Sequence, residues 1–146
     1  MTASHAHRAK ILTAEFGGDP ALLPPGEYQL GFRRYELSQR FQRGVLELWF
    51  MVTDYGPHFG TLISRYYNVQ LSAKKRNFRA RPQSAFCKEY CQVFGRRPKP
   101  IGTVALGDFR AAQIVGVVAT VKTDCGQKPL PKAARYSVIR ELVRVV

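Results

Sequence analysis

Apolar and polar residues alternate with a period of two over much of this chain. Between Glu27 and Glu36, Tyr28, Leu30 and Phe32 alternate with Gln29, Gly31 and Arg33, the pattern of a strand with one buried face. Leu46, Leu48, Phe50 and Val52 alternate with Glu47, Trp49, Met51 and Thr53 and mark the clearest strand. A polar stretch, Ser38 to Gly44, turns the chain between these two. Asp54-Tyr55-Gly56-Pro57 supplies turn chemistry before a third β-rich run from Thr61 to Leu71. Two hairpins in succession, without room for crossover helices, predict a three-stranded antiparallel meander.

The period changes after Pro82. Phe86, Cys87, Tyr90, Cys91 and Phe94 fall on one helical face. Pro82 or Ser84 suits the helix start, and Gly95, Pro98 and Pro100 end it. Gln113 to Thr123 is β-branched and predicts a fourth strand, and the segment with Gly126, Pro129 and Pro131 a loop. Val138, Ile139, Leu142, Val143 and Val146 fit a helical period, but the valine content of Arg135 to Val146 favours a closing strand. Three strands, a helix and two strands are what a five-stranded Greek-key barrel of the OB type requires, a mainly β fold with one helix between strands three and four. Closure removes the edges that a lone meander exposes. Residues 1–24, with the turn-rich Gly17-Gly18-Asp19-Pro20 run, are expected to be a flexible arm, and residues 25–146 the domain.

Charge changes the picture more than composition does. The 146 residues carry 23 Lys and Arg against 10 Asp and Glu, a formal +13, and an excess of this size usually answers to a polyanion. No apolar run is long enough to span a bilayer, the first sixteen residues hold no secretory apolar core, and three cysteines do not make a disulfide framework. A cytoplasmic protein with no membrane partner is the expectation.

Single-strand binding needs cations that track phosphates and flat rings on which bases stack. With Leu46, Leu48, Phe50 and Val52 in the core, alternation turns Trp49 outward, the best stacking candidate. The same parity turns Arg33 and Tyr35 outward on strand one, beside Gly31, whose missing side chain leaves space for a base. In strand three the parity is ambiguous, because a bulge would reverse it; Tyr66 is assigned to the core and Tyr67 to the outside with Arg65. Lys74, Lys75, Arg76, Arg79 and Arg81 place five cations in eight residues, interrupted by an exposed-looking Phe78. Further cations stand at Arg96, Arg97 and Lys99. The loops that flank ligands in OB folds would bring Arg40 and Arg43 to one side of the groove and Lys128 and Lys132 to the other.

Other chemistries find less support. Cys87 and Cys91 lie one helical turn apart, but Cys125 is solitary and His5, His7 and His58 are scattered, whereas a structural zinc site needs four converging ligands. The acids are isolated, no phosphate loop or nucleophile elbow is present, and Asp54 with His58 is the nearest approach to a catalytic pair. No cofactor, metal or enzymatic activity is expected.

Leu23-Pro24-Pro25-Gly26-Glu27-Tyr28, Leu46-Glu47-Leu48-Trp49-Phe50, Gly60-Thr61-Leu62 leading into Arg65-Tyr66-Tyr67-Asn68-Val69, and Tyr136-Ser137-Val138-Ile139 resemble a family. It comprises the small proteins of phages, conjugative plasmids and integrative elements that are similar to phage single-stranded DNA-binding proteins. The resemblance spans roughly residues 23–145 and rests on structural signatures. It implies an OB fold and strand-groove binding of single-stranded DNA, and the mixture of cations and rings argues for binding that is non-sequence-specific. Proteins of that functional class commonly end in an acidic tail; residues 140–146 are basic and apolar instead. RNA binding on the same fold, a basic protein-interaction or inhibitor module of a mobile element, and a homo-oligomer stay open as alternatives.

Overall fold

The alternation resolves into six strands and two helices, in a computed structural model that describes residues 22–98, 102–124 and 126–146. The strands are β1 (Gly26–Arg40), β2 (Arg43–Val52), β3 (Leu62–Leu71), the two-residue β4 (Phe78–Arg79), β5 (Gln113–Val121) and β6 (Tyr136–Val145). Helices α1 (Ala85–Phe94) and α2 (Gly102–Arg110) stand between β4 and β5. The proposed arm as far as residue 21, together with Lys99 and Cys125, lies outside the described residues. Leu23, expected in the arm, is buried in the core, and its N–H donates to Ser137 Oγ at 2.8 Å. The fold therefore takes in at least this residue of the proposed arm.

The protein is mainly β, and its strands form one antiparallel sheet in the order β4-β3-β2-β1-β5-β6. The expected meander is β1-β2-β3. The closing segment is a strand, β6, and not a helix. Three expectations need correction. The sheet has six strands where five were predicted, and two helices follow the meander where one was. Nor does a ladder close the sheet into a barrel: among the described residues no backbone pairing joins β3 to β6. Helix α1 bridges them instead, because Glu89 Oε1 accepts from the Tyr67 hydroxyl of β3 at 3.1 Å and from the Leu142 N–H of β6 at 2.8 Å.

Helix α1 starts where a side chain can satisfy its free amides. Ser84 is the N-cap and accepts from the Cys87 N–H at 3.3 Å, while Gly95, at φ 71°, closes the other end by donating to the Cys91 carbonyl. Caps of this kind contribute about 1 kcal/mol. The helix buries Phe86, Cys87, Tyr90 and Val93 against the sheet. Helix α2 buries Gly102, Ala105, Leu106 and Phe109, a strict helical period. Gly102 is required there, since a Cβ would lie 2.3 Å from the Phe78 ring. Phe109 sits among Phe32, Phe50, Phe86, Tyr90 and Phe94, with centroids 5.1–6.4 Å away. Edge-to-face pairs such as Phe94–Phe109 add about 0.5–1.5 kcal/mol beyond their buried area.

Candidate nucleic-acid interface

The ladders decide which side chains share a face. Leu46, Leu48 and Phe50 of β2 are fully buried, so their cross-strand partners on β3, Tyr67, Arg65 and Ile63, point to the same side. The assignment of the two tyrosines is thereby reversed. Tyr67 is 3% exposed and belongs to the core, while Tyr66 pairs with Glu47 on the other face. Arg65 also points inward and is not a phosphate contact. Its guanidinium holds Glu89 in a two-point pair (Nε to Oε1 at 3.1 Å, and Nη2 to Oε2) and lies 4.4 Å from the Tyr67 ring centroid. Burial alone would lower the Arg65 pKa, but the hydrogen bonds and charges of Glu89 and Tyr67 together outweigh it, and the net shift is upward. Burial, and then the Glu89 carboxylate, raises the Tyr67 hydroxyl well above its ordinary range. A second link of this kind joins the helices: Tyr90 donates to Asp108, which Arg96 meets at 2.7 Å. The Tyr90 pKa is pushed up to about 12, by burial first and then by Asp108.

Strand β1 carries a bulge between Phe32 and Arg34, which reverses its parity. Arg34, and not Arg33, lies across from Trp49. Tyr35 pairs with the core residue Leu48 and packs against the core, so it is not an outward ring. Arg33 is the bulged residue and is exposed. Trp49 does face away from the core, but it is only 7% exposed and has the Arg34 guanidinium 5.6 Å from its ring centroid. An indole covered to this extent offers no free face to a base. Gly31 is no unusual approach point either, because a Cβ would meet the Thr53 methyl at an ordinary 3.4 Å. Phe78, expected to be exposed, is 1% exposed: it pairs with Leu71 and stacks edge-on against Phe86.

What the fold brings together lies further along the outer face. Beyond Trp49 the β2 and β3 residues on that side run through Glu47 and Tyr66 to Val45 and Asn68, and reach Arg43 and Gln70 near the β1–β2 turn. Gln70 pairs with Arg79 of β4, so Arg79 shares this side while Phe78 faces in. Here Arg43, Arg79 and Arg81 line a groove of about 520 Å3, together with Asn68, Gln70 and Gln83. Ser84 borders it, so the amino-terminal end of α1, with its partial positive charge, faces the same space. The lining holds three cations and no carboxylate, and none of the three arginines forms an ion pair with a described residue.

A second hollow of about 430 Å3 shares Gln70 and Arg79 with the first and runs to Ser72 and Asn77. These two residues form the neck of the turn that carries Lys74, Lys75 and Arg76. Ser72 Oγ accepts from the Arg76 and Asn77 N–H groups, at 3.3 and 3.1 Å. Asn77 Oδ1 in turn accepts from the Thr103 N–H of α2 at 3.1 Å. The three cations of the turn are thus exposed on an anchored support. Arg40, by contrast, lies over the Tyr66 ring, 5.4 Å from its centroid.

Lys128 and Lys132 do not join this group. The β1–β5 register, Gly26 to Val118 through Gly31 to Gln113, takes the β5–β6 loop off the sheet at the end where β1 begins. Arg40 and Arg43 stand at the other end of that 15-residue strand. Among the described residues no three His, Cys, Asp or Glu side chains gather as metal ligands. Cys87 is buried with its Sγ 3.6 Å from the Ala80 carbonyl oxygen. Asp54 accepts from the Gln29 N–H at 2.8 Å, and the His58 ring sits edge-on to Tyr28. No helix is long and apolar enough to cross a membrane among the described residues.

One ring escaped the sequence pattern. The β1–β2 turn is only two residues long, Phe41 and Gln42, with φ of 50° and 63°. A two-residue hairpin loop favours left-handed backbone at both positions, for which Asn-Gly is the usual choice. A Phe there costs roughly 1–2 kcal/mol, and the residue is 63% exposed. Its sequence signal was its place between Arg40 and Arg43 in a segment with the composition of a polar turn.

Comparison with known proteins finds no matching family model, no matching curated protein and no matching solved structure. The geometry of the groove carries the functional reading.

Proposed function

We propose that this protein binds single-stranded nucleic acid, with DNA as the preferred form, through its backbone and without reading sequence. The groove of Arg43, Arg79 and Arg81, lacking any carboxylate and continued toward Lys74, Lys75 and Arg76, is the observation that carries this reading. Arginines without acidic partners among the described residues, in a chain with a formal charge of +13, are poised for phosphate. The side-chain amides of Asn68, Gln70 and Gln83 offer both donors and acceptors, which suits contact with sugars and bases of any sequence.

The strand order supports an OB-type barrel as the underlying architecture. Strands β3-β2-β1-β5-β6, with β6 brought back to β3 across α1, have the neighbour relations of the five-stranded barrel, and β4 extends the β3 edge. The resemblance to single-strand-binding proteins of phages and mobile elements agrees with this reading. In it the protein has no catalytic role.

The test is a direct titration of labelled single-stranded DNA, single-stranded RNA and duplex DNA at several salt concentrations. The expected result is tightest binding to single-stranded DNA and markedly weaker binding to duplex. Equal affinity for duplex would reduce the groove to a general polyanion site, and tighter RNA binding would change the ligand while keeping the site.

A further inference from the structure

From the β1–β2 turn we infer a second element of the interface: Phe41 is a stacking platform for one nucleobase of the bound strand. This rests on the phosphate groove described above and adds to it a base-dependent contact. The hairpin between Arg40 and Arg43 is closed by two residues, and both take the left-handed backbone that glycine or asparagine adopts most readily. A bulky aromatic is among the least suited residues for that position. It buries little in return, since the residue is 63% exposed. Fold stability thus gives no account of why a Phe stands here. An aromatic face held in water on a strained turn is the kind of feature that function explains.

The surroundings identify the ligand. Arg43, two residues away, lines the groove with Arg79 and Arg81, so a strand whose phosphates lie on these guanidinium groups passes the turn. A flat ring beside phosphate-binding arginines suits an unpaired base, whose π-face is available whatever its identity. The more obvious aromatic, Trp49, is covered, and Tyr67 is in the core. Tyr66, two residues from Asn68 of the groove, is half-buried under the Arg40 guanidinium, so among the described residues Phe41 is the exposed ring nearest the groove along the chain.

The test compares oligo-dT with an abasic strand of equal length, which keeps the phosphates and removes the bases. The wild-type protein is expected to bind oligo-dT about 5- to 150-fold more tightly than the abasic strand, the worth of one base–aromatic stack. Phe41→Gly and Phe41→Asn, both suited to the left-handed backbone, should bring this ratio close to one. Their melting temperature should be unchanged or higher, a combination that a merely structural role would not produce. Phe41→Trp should keep the ratio. Phe41→Gly and Phe41→Asn proteins that discriminate the two strands as the wild type does would overturn the stacking role, as would an equal loss on both strands. Failure of the wild type to bind either strand would instead overturn the reading of the groove.

Discussion

Arg65 and Arg79 sit on neighbouring strands, carry the same charge and look alike in sequence, yet the fold uses them in opposite ways. Arg65 points inward and is neutralised by Glu89, with side-chain exposures of 16% and 10% for the pair. Through Tyr67 and the Leu142 N–H, the same carboxylate ties β3 and β6 to α1. Arg79 points outward into a groove that holds two more arginines and no acid. The first cation serves the seam of the sheet, and the second has no acid beside it in the groove, where the proposed function places a phosphate. What separates them is the buried Glu89 that faces Arg65, on a helix that follows both strands in the chain. Local charge density does not reveal it.

Removing one charge from each region should break the symmetry plainly. Glu89→Gln leaves Arg65 in its site without a counter-charge and should cost about 3–5 kcal/mol in urea unfolding, as the breaking of a buried pair does. Arg79→Gln removes an exposed charge and should change stability by about 0.5 kcal/mol or less. Similar costs for the two would mean that the seam does not depend on Glu89. A smaller effect sharpens the contrast between the closed and open parts of the outer face. Trp49→Phe should change oligo-dT affinity by about twofold or less, against the ~1–3 kcal/mol that a stacking ring contributes. A loss of about tenfold in a folded variant, read by fluorescence anisotropy, would return the indole to the interface.

Much of the fold was legible because β2 has an unbroken alternation, and its neighbours inherit their facing from it. In β3, Ile63, Tyr67, Val69 and Leu71 share the parity of the core, and Arg65 alone interrupts the series. The conflict dissolves once Glu89 faces it, but a partner on a helix is not visible from the strand. In β1 the inward residues Leu30 and Phe32 are followed by Tyr35 and Leu37, an odd step that betrays the bulge at Arg33. A strand taken to end at Glu36 hides that step. Helix α2 escaped notice because Gly102 and Gly107 weaken its signal, although its buried positions follow a helical period. Of the candidate site, the cationic run 74–81 was legible as charge, and the alternation of Phe78, Arg79, Ala80 and Arg81 held the facing of each residue. The union of Arg79 and Arg81 with Arg43 needed the β2–β3–β4 register. So did the separation of Lys128 and Lys132 from them, through the pairing of β1 with β5.

In the proposed function, binding depends on where the cations are and not on how many there are. The most direct measurement is the salt dependence of oligo-dT affinity for two triple variants of equal charge. For single strands, every phosphate that the protein ceases to neutralise lowers the slope of log K against log salt by ~0.7. Arg43→Gln, Arg79→Gln and Arg81→Gln together should therefore reduce the slope by about 2. Arg33→Gln, Lys128→Gln and Lys132→Gln, which remove the same charge elsewhere, should leave it as in the wild type. Equal reductions in the two variants would contradict the account, because net charge alone would then govern binding.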